Sequence, residues 1–201
     1  PQSRLTGIPA PGPFPVPVQV EVGSTLYTLT VNGGPSVTLP PGFPGTASVD
    51  GTGAITYTDG STYEGDWRGG VIEGRGIARF ADGMVYEGGF QNALFDGQGT
   101  STLGNGDVYA GGWQMGKRHG QAVYTFADGS VLEGTFANGT VSGTGPYRGA
   151  DGFIYDGEWQ NMQFHGQGTA TYPNGDVYEG QFEHGMRQGQ GTIRYAGGEV
   201  E

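Results

Sequence analysis

The sequence predicts an all-β fold: an elongated, single-layer antiparallel β-meander of hairpin repeats, with the right-handed twist that strands impose on a sheet. Three observations predict it. One pattern recurs every 23 residues, glycine supplies 43 of 201 residues, and no stretch shows a helical period. Frequent glycine disfavours helix, and a fixed period of this length marks an array whose units bury one another.

The clearest copy is Gly166 to Phe182, GQGTATYPNGDVYEGQF. Alternating small and aromatic residues run into Pro173-Asn174-Gly175-Asp176, and Val177 to Phe182 returns. Asn-Gly between two alternating runs predicts a hairpin with a type I′ turn, both central residues at positive φ. The returning strand begins its pattern at Tyr63, Tyr86, Tyr109, Leu132, Tyr155 and Tyr178. Two residues on stand Gly65, Gly88, Gly111, Gly134, Gly157 and Gly180, then Trp67, Phe90, Trp113, Phe136, Trp159 and Phe182. Gly-x-Gly pairs follow at Gly74/Gly76, Gly97/Gly99, Gly143/Gly145, Gly166/Gly168 and Gly189/Gly191, with Gly120/Ala122 the one lapse. Asp-Gly or Asn-Gly dipeptides close each unit, from Asp59-Gly60 to Asn174-Gly175. Strand alternation puts Tyr155, Gly157 and Trp159 on one face and Asp156 and Glu158 on the other. Glycine beside a ring leaves room for that ring to lie across the strand.

This Y-x-G-x-W/F, G-x-G and D/N-G pattern resembles the MORN repeat family over about residues 40–200. The resemblance implies modules found beside enzymatic or membrane-anchored partners, with proposed roles in assembly and in membrane or phospholipid association. Lipid binding carries over poorly, because Lys117 is the single lysine where a basic face would be wanted.

In chain order, residues 1–17 form a proline-rich linker whose alternating Pro9, Pro11, Pro13, Pro15 and Pro17 favour polyproline II. Such a stretch suits a spacer, or a recognition peptide for a proline-binding domain. Residues 18–39 read as an N-terminal β-hairpin cap, since an array needs its exposed end covered. The array itself occupies 40–201: a degenerate unit at 40–62, full units at 63–85, 86–108, 109–131, 132–154 and 155–177, and a truncated one at 178–201. Starting at Pro1 and stopping at Glu201, where the next tyrosine slot falls, the sequence is expected to be part of a longer chain. Leu132, Pro146-Tyr147 and Gly149 mark the unit 132–154 as unusual, which fits a bend, a binding spot or simple drift of the repeat.

The formal net charge of −11, from 20 acidic and 9 basic residues, argues against nucleic acid, whose phosphates are held by clustered cations. The same charge weakens docking on an anionic membrane. No cysteine is present, so disulfides and thiolate catalysis are excluded. The sequence carries no run of the roughly 20 apolar residues that a membrane-spanning helix needs. Envelope, periplasm and cytoplasm all fit.

The candidate binding surface is the aromatic ladder Tyr63/Trp67, Tyr86/Phe90, Tyr109/Trp113, Tyr155/Trp159 and Tyr178/Phe182. Either these rings line a groove or they pack on the next repeat as core. An acidic row, Glu64, Glu87, Glu133, Asp156 and Glu179, falls on the opposite face. Equivalent slots lie about two strand spacings apart, ~10 Å, too far to share a Ca²⁺, so the row reads as a solvated face. His119, His165 and His184 lack a second ligand at metal spacing, no Gly-x-Ser-x-Gly elbow exists, and no helix follows the Gly-x-Gly pairs to hold a phosphate. No catalytic residue, metal site or cofactor is expected. The sequence therefore predicts a non-catalytic scaffold for a protein partner or for itself, with homodimers forming through open sheet edges. The alternative is a surface module holding a glycan or a lipid acyl chain in the aromatic groove.

Overall fold

The computed structural model describes residues 18–22, 25–31, 35–38, 51–56, 59–68 and 71–200. The proline-rich stretch and the slots Pro40, Gly42 and Pro44 of the degenerate unit lie outside the described residues. Two compact units are present, the first of residues 18–104 and 113–117, the second of 105–112 and 118–200.

Every regular element among the described residues is a strand. The first unit contains β1 (Val18–Val22), β2 (Thr25–Val31), β3 (Pro35–Thr38), β4 (Gly51–Thr56), β5 (Thr62–Arg68), β6 (Val71–Arg79), β7 (Val85–Gln91) and β8 (Leu94–Thr102). Within it β1 lies between β2 and β4, β3 pairs β2, and β4 to β8 follow as an antiparallel meander. Strand β9 (Val108–Gln114) contributes to both units. The second continues with β10 (Lys117–Thr125), β11 (Val131–Ala137), β12 (Thr140–Arg148), β13 (Ile154–Gln160), β14 (Gln163–Thr171), β15 (Val177–Glu183) and β16 (Met186–Arg194), each antiparallel to the next. Both are open sheets of hairpins, the predicted fold class.

Register explains the paired glycines. On β7 and β8, Tyr86 faces Ser101 and Gly88 faces Gly99, after which the register shifts so that Phe90 faces Phe95. Gly97 stands in that bulge with φ +81°, a left-handed backbone that a side chain disfavours. Gly99 instead makes space, since a Cβ there would lie 2.5 Å from Cζ and 2.6 Å from Cε2 of Tyr86. The first glycine bends the strand and the second seats the ring.

The turn expectation needs correction. At Asn174-Gly175 only the glycine has positive φ, +90°. The Gly175 N–H donates to Tyr172 O at 2.9 Å and the Tyr172 N–H to Asp176 O at 2.8 Å, a type I turn followed by a left-handed glycine. The same pair of bonds recurs at Phe80/Gly83, Phe126/Gly129, Gly149/Gly152 and Tyr195/Gly198 with alanine in place of Pro173, so each loop is three residues long, one more than a type I′ hairpin turn has. The pairs with both residues at positive φ lie at the other end of the hairpins, at Asn92-Ala93, Met115-Gly116, Asn138-Gly139, Asn161-Met162 and His184-Gly185.

Two hydrogen-bond ladders join successive repeats within each unit. At one edge the residue after the Asp/Asn-Gly turn accepts from a backbone N–H 20 positions on: Ala81 to Ser61 Oγ, Ala127 to Asp107 Oδ1, Ala150 to Ser130 Oγ and Ala196 to Asp176 Oδ1, at 2.8–3.1 Å. At the other edge Ala93, Gly116, Gly139 and Gly185 donate to the carbonyls of Ile72, Phe95, Arg118 and Phe164, each 21 positions back.

Candidate functional site

The aromatic ladder forms the core. All ten of its rings are 7% exposed or less, and Tyr63, Tyr86, Tyr109 and Tyr155 are fully covered. In the first unit Tyr86 stacks on Phe95 at 3.7 Å and Tyr63 meets Phe90 edge-on at 5.0 Å. In the second Tyr155 stacks on Phe164 at 4.0 Å and meets Phe182 edge-on at 5.0 Å. Each tyrosine hydroxyl donates to the carbonyl three residues on: Tyr63 to Asp66, Tyr86 to Gly89, Tyr109 to Gly112, Tyr155 to Glu158 and Tyr178 to Gln181, at 2.6–3.0 Å. Trp159 Nε1 donates to Gly145 O at 2.7 Å. Burial pushes the Tyr109 and Tyr155 phenols up to about 12. Covered on their faces and satisfied at their polar tips, these rings cohere with one another.

Carboxylates on the opposite side divide into two groups. Glu64, Glu87, Glu133, Asp156 and Glu179 are exposed, and Glu133 pairs with Arg148 at 3.1 Å. Asp66 and Glu158, two strand positions further along, accept from the bulge N–H groups of Arg75 and Gln167 at 2.8 and 3.0 Å. Among the described residues, no three His, Cys, Asp or Glu side chains are grouped to hold a metal ion.

Two features were not foreseen from the sequence. The first is a buried cation. Arg118 takes the slot that Phe95 and Phe164 hold elsewhere, is 6% exposed, and stands 5.6–5.7 Å from the ring centroids of Tyr109, Tyr124 and Phe136. Its Nη2 donates to Gly139 O at 2.8 Å, while fully buried Asp107 accepts from Tyr124 Oη at 2.8 Å. Burial lowers the Arg118 pKa and raises that of Tyr124. Arg118 and Arg187, set in a column that otherwise holds Ile72, Phe95, Val141 and Phe164, were the available signal.

The second is an aromatic patch in and after the unusual unit 132–154. Tyr147, Phe153, Phe164 and Tyr172 are half-buried, not closed over like the ladder. Successive centroids run from Phe126 to Tyr147 at 6.1 Å, to Phe153 at 6.4 Å and to Tyr172 at 5.5 Å. Phe153 stands where Ser130 and Asp176 accept their inter-repeat bonds, and the position 20 residues on is Pro173, which has no N–H to give. Acceptor and donor are absent together, and a ring takes the place of the bond. Gly149 stands in the column of Phe126 and Tyr172 and carries no ring; a Cβ on it would lie 2.5 Å from Asp151 Oδ1.

Comparison with solved structures finds low-identity likenesses. The Drosophila melanogaster SAS-4 (dCPAP) TCP domain, in complex with a proline-rich motif of Ana2 (dSTIL), is 14% identical with a TM-score of 0.46, covering 81% of this chain and 96% of that one. The Danio rerio CPAP TCP10 domain, in complex with a STIL peptide, is 16% identical with a TM-score of 0.42, covering 89% and 73%. No curated protein sequence matches the chain. The MORN repeat profile matches residues 63–85, 86–108, 109–131, 155–177 and 178–200, passing over the unit 132–154. With more than half of its residues in those five copies, in the register that seats each tyrosine on its glycines, the chain belongs to the MORN repeat family.

Proposed function

We propose that this chain is a non-catalytic scaffold that binds a protein partner, a second copy included, through the patch of Tyr147, Phe153, Phe164 and Tyr172. The observation that carries the reading is the contrast between the closed ladder and the half-open patch. Ring-on-glycine packing closes over every ladder residue, whereas the unit that departs from the pattern leaves ring surface in contact with water. Apolar surface kept at such a place costs solubility unless a partner covers it, and aromatic residues supply most anchor points in protein interfaces. The chemically capable side chains support a structural role: tyrosine hydroxyls, Asp107 and Glu158 are engaged in holding backbone.

A photo-crosslinking side chain at Phe153, with another at Glu179 on the opposite face as control, tests the site. Saturable adducts to protein are expected from Phe153 alone, competed by unlabelled chain and not by a Tyr147→Ser/Phe153→Ser variant. Equal, non-saturable labelling from both positions rejects it.

A further inference from the structure

We propose that Asn105-Gly106 is a deamidation site, and that its conversion to aspartate or isoaspartate releases the inter-repeat bond between Asp107 and Ala127. The site lies apart from the aromatic patch and does not depend on it.

The turn slots carry the first observation. At Asp59, Asp82, Asp128 and Asp151 a carboxylate Oδ1 accepts from the backbone N–H two places on, at 2.8–3.0 Å. The residues two places on are Ser61, Met84, Ser130 and Phe153, none of them charged. Where that residue is itself an aspartate, at Asp107 and Asp176, the turn slot holds Asn105 and Asn174 instead. Each asparagine keeps the Oδ1 bond, at 3.1 Å, and adds one from Nδ2 to the aspartate Oδ2, at 3.0 and 2.8 Å. Gly197, ahead of Glu199, keeps the same rule. The amide lets a second acid sit in the turn, where two carboxylates would repel.

Burial is the second observation, and it separates the two sites. Asp176 is half-buried, whereas Asp107 is fully buried. Asp107 Oδ2 also accepts from Tyr124 Oη, and its Oδ1 holds the Ala127 N–H, both at 2.8 Å. Asn105 and Gly106 are both exposed. A solvent-facing Asn-Gly therefore touches a buried carboxylate that ties two repeats of the second unit together.

Asparagine is a thermally labile residue, and a following glycine leaves its nitrogen unshielded by a side chain. A solvent base takes the Gly106 N–H proton, the nitrogen attacks Asn105 Cγ, and the side-chain amide nitrogen leaves as ammonia. Water then opens the five-membered imide at either carbonyl. One amide and one water give one carboxylate and one ammonium, with no change in oxidation state. Opening at the backbone carbonyl leaves isoaspartate, which puts an extra carbon into the main chain of the turn. Opening at Cγ leaves aspartate, an anion in place of the donor that stood 3.0 Å from Asp107 Oδ2. The two acids move apart, and Asp107 is drawn from Tyr124 and Ala127.

Ageing the 201-residue chain in warm, mildly alkaline buffer, followed by peptide mapping, tests the reaction; urea unfolding of product variants tests its consequence. Acid at position 105 is expected, together with the isoaspartate that an imide leaves. Asn105→Asp should lower the urea midpoint by about 0.5 M or more. Asn105→Ser, which removes the same donor without adding charge, should lower it less. Asn138→Asp, in an exposed Asn-Gly followed by Thr140, should leave it unchanged. Should Asn105→Asp fail to fold, adding Asp107→Asn is expected to restore folding, because an amide again faces a carboxylate. Equal midpoints for Asn105→Asp and Asn105→Ser overturn the inference. So does an unfolded Asn105→Asp chain that Asp107→Asn does not rescue, or an amide still intact at position 105 after Asn138 has fully converted.

Discussion

Replacing Gly168 by alanine is the sharpest probe of what holds these sheets together. The Gly168 backbone carries no left-handed strain, so the effect isolates space. A Cβ there lies 2.5 Å from Tyr155 Cε2 and 2.7 Å from Cζ, about 1 Å inside the usual carbon–carbon contact. Tyr155 has nowhere to retreat: Phe164 stacks on it at 4.0 Å and its hydroxyl is tied to Glu158 O at 2.7 Å. Overpacking of this kind costs about 1–3 kcal/mol, and losing the buried hydroxyl's bond adds roughly 1 kcal/mol. A loss of roughly 3 kcal/mol is therefore expected, read from urea unfolding followed by both tryptophan fluorescence and circular dichroism. The chain contains its own control. Ala122 occupies the equivalent slot opposite Gly111, yet Tyr109 remains fully buried. There Arg118 stands 5.7 Å from the tyrosine centroid in place of a phenylalanine stacked at 4.0 Å, so the ring has room to lift. Phe164→Val should accordingly relieve Gly168→Ala, with a coupling of about 1 kcal/mol or more in a double-mutant cycle. Gly197→Ala, with nothing within 4 Å of its added carbon, should be close to neutral. A Gly168→Ala cost of less than about 0.5 kcal/mol, or strict additivity with Phe164→Val, refutes the seat.

Four further outcomes follow from the geometry. Asp107→Ala strips the acceptors from the buried Tyr124 Oη and from the Ala127 N–H, so about 1–3 kcal/mol should be lost in chemical denaturation. Alkaline titration should destabilise the fold between pH 10 and 12: the Tyr109 and Tyr155 phenols ionise near 10 when unfolded and at about 12 when folded. Their contribution is therefore complete below pH 10 and lost as pH rises through 12, visible as a sigmoidal fall in midpoint urea concentration. Acrylamide should quench the tryptophans weakly, because Trp67, Trp113 and Trp159 are only 5–7% exposed; strong quenching would show the ladder to be open. Phe153→Ser combined with Pro173→Ala should recreate the Ser130–Ala150 type of inter-repeat bond, giving a favourable coupling of about 1 kcal/mol that neither single change provides.

The strands were legible because tyrosine, glycine and the second aromatic recur at fixed slots, and alternation then fixes which face each occupies. The ladder Tyr63 to Phe182 emerged as a candidate surface or a core, and burial places it in the core. What stayed hidden were interactions across the repeat boundary. Ser61, Asp107, Ser130 and Asp176 look like ordinary turn residues until the backbone N–H 20 positions on is known to lie beside them. Asn174-Gly175 misled because the dipeptide suits a two-residue type I′ turn, whereas the loop closes one residue earlier, from Tyr172 to Asp176. The unusual unit was visible through Leu132, Pro146 and Gly149, but the pairing of Phe153 with Pro173 needed coordinates.

The two edge ladders, offset by 20 and 21 positions, set a rule for how such a chain can change length. Whole copies can be gained or lost and every bond finds an equivalent partner, so size varies in steps of one hairpin. A single added residue inside a strand instead turns each following ring from the interior to water, and both ladders lose their partners at once. Growth by duplication is thus mechanically cheap, while drift in spacing is not.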